Sequence, residues 1–593
     1  MMKTRCASLI LILMMLLPAV PALAWDTGVL VFIEEGAFWQ VENNGIRVKP
    51  GEDAVFTVLM DRGVMLTGTD HVGETLTETD GRTVTLTLKD IRYPTRVRLS
   101  VSTKYCTVIY HANGGTSPTG EETVSKRYSL STHPRPNTET DLFAREGYTL
   151  LGWNTRSDAR GERIGLGSRV TPANGETELY AQWALWSDGN DFDRTGEEEA
   201  VITGYHGQDD PLVVPAYLDG RPVTAVTAGA FTGCEAKEII LPSTVRTVED
   251  GAFRDCALTT LTLFDSIENI SDAAFIDCPA LTTLRINAAE APYGYIYRKE
   301  SVYADKAELL IAAQGKKKLV FYAGCSVWYN LDAIQADRLY GEEYAVINMG
   351  LNGTVSSSVQ LQIMERFLEE GDVLFHTPEI SSPLQLMTCT DMGDNDSSLW
   401  CGLENNYDLF ALVDLSTVGG VFSSLCHYLD LKDRRTDYQQ FFSDDYRTPY
   451  IDKYGSVPFY RSGSGKRLDL SDRVFLDPER VSGASLDTLT SWYARLTRKG
   501  VTVLVSHACV NMDAVPEEQR GNAEKVDSLF RERVEAVPGV RVISRLTDYL
   551  YRDPDFYDTN YHLNSEPAKK NTARWMEDLK KVLPVKEAAE DAE

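Results

Sequence analysis

One short phrase occurs three times at 22-residue intervals: Ala230-Phe231-Thr232-Gly233-Cys234, Ala252-Phe253-Arg254-Asp255-Cys256 and Ala274-Phe275-Ile276-Asp277-Cys278. Between and after the copies fall Ile240-Leu241-Pro242, Leu261-Thr262-Leu263 and Leu284-Arg285-Ile286. A fixed period in the twenties with recurring Leu and Phe predicts a leucine-rich solenoid. A single unit cannot bury its own apolar face, so its neighbours must stack on it and share one core. Phe231, Phe253 and Phe275 are therefore expected in that core. Cys234, Cys256 and Cys278 recur at one repeat position and are expected to stack as small buried side chains rather than as disulfides. The array spans 197–290 and holds three or four units, which suits a connector better than a long receptor.

The rest of the chain is too long and too varied to be one more solenoid. Its 593 residues predict about three to five domains. With 59 basic and 87 acidic residues the formal charge is −28, which opposes an electrostatic grip on nucleic acid or on an anionic membrane. Residues 1–24 read as a secretory signal peptide: Lys3 and Arg5, an apolar run from Leu9 to Leu17, then Ala22 and Ala24 before a cleavage point at Trp25. No second apolar run of about 20 residues follows, so no transmembrane segment is expected. Export with non-covalent retention at a cell surface, or full secretion, is the localisation this implies.

Residues 25–104 alternate apolar and polar positions over Val29–Ile33, Ala54–Leu59, Thr83–Leu88 and Val97–Val101, the pattern of a small all-β domain. Residues 105–185 are β-rich as well. There Cys106-Thr-Val-Ile-Tyr-His-Ala-Asn-Gly-Gly115 is followed by Gly147-Tyr-Thr-Leu-Leu-Gly-Trp-Asn154 and by Leu179-Tyr-Ala-Gln-Trp183. Asn113-Gly114 supplies a turn with positive φ, and Trp153, Tyr180 and Trp183 are expected to fill the core. These landmarks resemble the internalin-type B-repeat of bacterial surface proteins, which implies a spacer or an adhesive module. The solenoid phrase, with Ile202-Thr-Gly-Tyr-His-Gly207 and Gly220-Arg-Pro-Val223 ahead of it, resembles the BspA-type leucine-rich repeat.

Residues 305–583 change character. Apolar runs at Lys318–Ala323, Tyr344–Asn348, Asp372–His376, Val501–Val505 and Val540–Ile543 alternate with amphipathic stretches such as Ser358–Glu370 and Ser485–Arg498. That alternation predicts a parallel sheet between two helical layers, an α/β/α domain with its site at the carboxyl ends of the strands. The first run ends in Ala323-Gly324-Cys325-Ser326, ahead of a helix expected near Leu331. Near the other end Asp558 precedes His562 by four residues, before a helix expected from Lys569. A serine nucleophile needs a base within hydrogen-bond reach, and the base needs an orienting partner.

Gly324-Cys325-Ser326, Val346-Ile-Asn348-Met-Gly350-Leu-Asn352-Gly353 and Asp558-Thr-Asn-Tyr-His562 together resemble the GDSL/SGNH-type hydrolases. The resemblance implies an SGNH/flavodoxin-like three-layer fold, with Ser326 as nucleophile, His562 as general base and Asp558 as its orienter. The backbone N–H groups of Ser326 and Gly350 would line an oxyanion hole, with Asn352 as a third donor. Two departures stand out. Gly-Cys-Ser replaces Gly-Asp-Ser, and the third block reads Thr377-Pro378-Glu379 where an asparagine completes the oxyanion hole.

Other polar residues divide as follows. His376 and His427 are read as core or packing residues, and Glu379 and His507 as candidates for the substrate rim. Asp391, Asp394 and Asp396 are read as a solvated turn, and no metal is implied. A Cys389–Cys401 bridge stays open, zinc-ligand spacing is absent, and residues 584–593 form an acidic tail. The sum is a surface-associated or secreted serine esterase or acyltransferase that needs no cofactor. Its expected substrate is an esterified carbohydrate or cell-surface glycan, and the repeats offer a surface for a protein partner. The competing reading is a surface adhesion protein whose hydrolase-like domain is catalytically inactive.

Overall fold

The computed structural model describes residues 28–34, 39–60, 64–78, 83–103, 105–129, 137–170, 176–289, 302–351, 357–381, 397–404, 406–433, 451–457, 461–462, 474–481 and 483–585. The chain divides into two compact units, 1–104 and 105–593. In the first, Glu52–Met60 pairs antiparallel with Thr83–Ile91, and Val29–Ile33 pairs with Ile46–Val48 and Thr95–Val97. Alternation decides which side chains go in: Ala54, Phe56 and Val58 are fully buried while Val55 between them is exposed.

The second unit begins with a five-stranded sheet in the order Thr123–Ser129, Tyr105–His111, Glu176–Leu185, Tyr148–Asn154, Arg163–Ile164. Asn113 and Gly114 have φ of 49° and 99°, as a turn of this kind demands. Trp153 is fully buried against Tyr110, and Trp183 is half-buried with its indole N–H donating to Ala112 O at 2.8 Å. Tyr180 departs from expectation. Leu179 and Ala181 occupy the inward positions of that strand, so Tyr180 between them faces the other way and stacks on His111 at 4.5 Å.

The solenoid carries two parallel ladders. One joins Ala200–Tyr205, Arg221–Val226 and Thr247–Val248, and the other joins Leu212–Val213, Glu238–Ile240, Thr260–Phe264 and Thr283–Asn287. The stretch 186–196, ahead of the array bounds read from the sequence, is part of the array: Phe192–Thr195 pairs antiparallel with the first coil, and Ser187 N–H donates to Val213 O. Between the ladders the phenylalanines stack face to face, Phe231 on Phe253 and Phe253 on Phe275, each at 5.1 Å. Two of the repeat cysteines tie one coil to the previous one, Cys256 Sγ donating to Phe231 O at 2.9 Å and Cys278 Sγ to Phe253 O at 2.7 Å. Cys106, Cys325, Cys426 and Cys509 are free thiols. Cys389, and with it the open Cys389–Cys401 bridge, lies outside the described residues.

The C-terminal part is α/β. Its strands are β1 (Lys318–Tyr322), β2 (Ala345–Asn348), β3 (Val373–His376), β4 (Thr502–Val505) and β5 (Arg541–Val542). All pair in parallel, in the order β2-β1-β3-β4-β5. Its helices include α1 (Val302–Ala312), α2 (Cys325–Asn330), α3 (Ala333–Tyr340), α4 (Ser357–Phe367), α5 (Val421–Asp433), α6 (Ala484–Arg498), α7 (Ala523–Glu535) and α8 (Ser565–Lys580). Alternate strand residues feed the two faces. Val320, Leu374 and Val503 share a core with α1, α4, α6 and α7, while Leu319, Phe321 and Phe375 pack with α3 and with Trp575 of α8. The central strands are buried on both sides, as in covered parallel sheets. Among the described residues no helix is long and apolar enough to cross a membrane.

Strand order reverses direction between β1 and β3. In doubly wound sheets the crevice above that point, at the carboxyl ends of the strands, is where ligands bind. The residues that follow β1 and β3 are Ala323–Ser326 and Thr377–Glu379.

Candidate functional site

Ser326 reaches this crevice because the helix after β1 starts earlier than its apolar pattern suggested. Gly324 is the extended N-cap, with φ −72° and ψ −151°, and α2 opens at Cys325. Ser326 therefore lies in the first turn rather than in a loop, and it is fully buried. Its backbone N–H donates to Glu379 Oε1 at 2.9 Å. The same carboxyl packs on Gly324 so closely that a Cβ there would lie 2.6 Å from Oε1, which explains the residue's lack of a side chain. Burial pushes the Glu379 carboxyl above its ordinary value, and its contacts with Ser326 offset part of that rise. Glu379 is 3% exposed and thus sits at the floor of the crevice rather than on its rim.

His562 belongs to the irregular segment between the strand-like Leu550–Tyr551 and α8. Its Nδ1 lies 2.6 Å from Asp558 Oδ1. An ionised carboxylate can only accept, so Nδ1 carries the proton and Nε2 is the basic nitrogen. The ring is 5% exposed and stacks on Tyr329 of α2 at 3.7 Å with an interplanar angle of 4°. Tyr329 follows Ser326 by three residues, so His562 is held against the helix that carries the serine. No hydrogen bond joins Ser326 Oγ to His562 Nε2.

The expected oxyanion donors serve internal acceptors. Besides Ser326 N–H on Glu379, Gly350 N–H donates to Asn348 Oδ1 at 2.9 Å. Asn348 is held in turn by donation from its Nδ2 to Val327 O and Ser456 Oγ. Asn352 lies outside the described residues, as do Asp391, Asp394 and Asp396, the signal segment 1–24 and the end of the acidic tail.

His507 corrects the expectation of a rim residue. It is fully buried, its Nε2 is 2.7 Å from Asp527 Oδ1 of α7, and its ring lies 5.7 Å from that of Phe530. It follows β4 but turns into the core beneath α7. His376 is the core residue anticipated: Tyr493 Oη is 2.7 Å from its Nδ1, and burial lowers its pKa to about 3, so it stays neutral. His427 lies half-buried on α5.

Four polar residues of the site escaped sequence reasoning. Asn330 is fully buried and bonds to the backbone on both sides of His562. Arg461, 6% exposed, donates from Nη2 to Tyr329 O at 2.5 Å and from Nε to Leu563 O at 3.2 Å. Lys306 of α1 is fully buried with Nζ donating to Asn348 O at 3.1 Å and Gly350 O at 2.5 Å, and desolvation lowers its pKa well below the usual range. The fourth, Tyr329, gave a usable signal with Asn330, since both fall three and four residues after Ser326 on one helix face. Arg461 and Lys306 come from distant segments and gave none. Among the described residues no group of three or more His, Cys, Asp or Glu could hold a metal ion.

Asp558 orients the His562 ring, and the helix on which that ring stacks carries the Ser326 hydroxyl. Comparisons with known proteins bear on the repeats. Residues 106–182 match the Listeria-Bacteroides repeat domain, and residues 221–297 match the BspA type leucine-rich repeat region in six copies. Repeats of these kinds are typical of surface and interaction proteins. No curated protein matches the chain.

Proposed function

We propose that residues 305–583 form a serine esterase or acyltransferase of the SGNH type, exported by its leader and held toward esterified surface glycans by the repeat modules. The observation that carries the reading is the 2.6 Å Asp558–His562 pair stacked against the helix of Ser326, at the reversal point of a parallel sheet. In the reaction Ser326 Oγ attacks the ester carbonyl while His562 Nε2 takes its proton and Asp558 stabilises the imidazolium. The tetrahedral intermediate collapses when His562 returns the proton to the leaving alkoxide. Water or a sugar hydroxyl then takes the acyl group by the same steps in reverse. Catalytic hydrogen bonds that are open in a resting site close in the substrate complex, so Ser326 and His562 need not touch beforehand.

Glu379 favours a second reading, a catalytically silent scaffold that serves adhesion. A carboxylate on Ser326 N–H opposes the negative charge that an acyl-transfer site must stabilise.

Hydrolysis of p-nitrophenyl acetate and labelling by a fluorophosphonate probe separate the two. The enzyme reading expects both with the wild-type chain and a loss of at least a hundredfold in Ser326→Ala. A folded wild-type chain that neither hydrolyses nor labels above that variant would establish the scaffold. Labelling without hydrolysis would mark a transferase that requires its own donor.

A further inference from the structure

We propose that Tyr329 and Asn330, at the end of the helix whose first turn carries Ser326, are positioning residues for His562: Asn330 grips the backbone on either side of it, and Tyr329 fixes the plane of its ring. The role assigned to His562 rests on the serine-enzyme reading above, whereas the way it is held rests on geometry alone.

The segment that bears His562 has little regular structure of its own. A single antiparallel bridge joins Phe556 to Leu563, and Tyr557 N–H donates to His562 O at 2.8 Å, so the segment folds back on itself as a small loop. Loops of this kind are the more mobile parts of a fold unless other groups tie them down. Asn330 is the tie. Its Nδ2 donates to Tyr561 O at 2.8 Å and its Oδ1 accepts from Leu563 N–H at 2.7 Å. One amide thus satisfies the carbonyl before His562 and the N–H after it, as a neighbouring strand would. Because the side chain is fully buried, no water can substitute for either contact.

Tyr329 supplies the orientation that backbone contacts cannot. Its ring lies parallel to the imidazole at 3.7 Å, which leaves rotation of the histidine about χ2 little room. Side chains on a helix lean toward its N-terminus, so the stacked pair covers the turn that carries Ser326. Arg461 joins the same two segments through Tyr329 O and Leu563 O. The nucleophile and its base thereby share one rigid turn. A shift of about 1 Å between reacting groups costs on the order of 100-fold in rate, and this turn is what sets that distance.

The test compares wild type, Asn330→Ala, Tyr329→Phe and Tyr329→Leu in the full chain, with folding checked by circular dichroism. Three readouts are taken: fluorophosphonate labelling rate at Ser326, kcat and KM for p-nitrophenyl acetate, and the ¹⁵N resonances of His562 in histidine-labelled protein, assigned with His562→Gln. The expected result is labelling and kcat slowed at least tenfold in Asn330→Ala and Tyr329→Leu, KM within about twofold of wild type, and displaced His562 resonances. Tyr329→Phe, which keeps the stack, should match wild type. Folded Asn330→Ala and Tyr329→Leu with unmoved His562 resonances would overturn the proposal. If Asn330→Ala does not fold, Tyr329→Leu against Tyr329→Phe decides. If the wild-type serine never labels, the enzyme reading fails, and the resonances still decide how His562 is held.

Discussion

At the scale of single residues the site turns on Glu379. A buried carboxyl whose folded pKa is raised is most stable as the neutral acid. Its contribution is therefore complete below the unfolded value of 4.5 and is lost as pH rises through the higher folded value. Glu379→Gln keeps the shape without the titration. The α/β domain of that variant should melt higher than wild type at pH 8, by an amount corresponding to roughly 1–3 kcal/mol, and should lose that advantage near pH 4. Thermal melts at the two pH values check this, and a gap that ignores pH would place the titration elsewhere. The same substitution should raise p-nitrophenyl acetate turnover at pH 8, because the competing negative charge on Ser326 N–H is gone.

At the scale of elements the solenoid shows how a weak repeating unit is stabilised. Each coil contributes one ring to the stack, Cys256 and Cys278 add thiol contacts between turns, and the last coil would leave its phenylalanine and its strand edge uncovered. The segment between β3 and β4 covers both. Phe422 of α5 stacks on Phe275 at 4.6 Å, Leu415 N–H donates to Thr282 O at 3.0 Å, and Gly420 N–H donates to Asp272 Oδ2 at 2.8 Å. Solenoids need such caps, and an uncovered edge is a pairing hazard. Phe253→Ala, which leaves a cavity inside the stack, should destabilise by about 3–5 kcal/mol in urea unfolding. Phe422→Ala removes only the cap, so its effect should concentrate in 269–287. Faster amide exchange there, with 200–226 unchanged, is the expected signature; uniform acceleration would mean the coils unfold as one.

At the scale of the whole second unit the repeat modules are bolted to the α/β domain. Asp408 accepts from Gly165 N–H at 2.8 Å, pairs with Arg163 at 2.9 Å and meets Ser168 Oγ at 3.3 Å. Arg169, 9% exposed at its side chain, pairs with Asp305 of α1 at 2.6 Å. Modules fixed in this way present the domain at a set orientation rather than on a flexible tether. Asp408→Ala should cost about 1–3 kcal/mol, because it strips a backbone N–H and an arginine of one shared acceptor. Hydrogen exchange at 163–168 should rise while 123–129 stays protected. Exchange unchanged at 163–168 would show that the ion pair carries nothing.

Local periodicity made much of this legible. The 22-residue phrase determines the solenoid, since only stacking can bury a Phe that returns at one position, and strand–helix alternation determines the parallel sheet and the boundaries of its main strands within one or two residues. The Asp558–His562 spacing and the glycine before Cys325 and Ser326 marked the polar candidates. Local patterns end where chain closure begins. Nothing near position 379 announces that its carboxyl will lie on Ser326 N–H, 53 residues back. Nothing near Asn330 announces the loop it will grip, more than 230 residues on. His507 shares its strand-end position with rim residues, and α7 decided its burial by bringing Asp527 against it. Tyr180 lost its place in the core to strand parity set by Leu179 and Ala181. Sequence order determines which residues share a face, because helix and strand periods are local; which faces meet is decided by tertiary packing, where burial of the combined surfaces outweighs any preference a short segment holds alone.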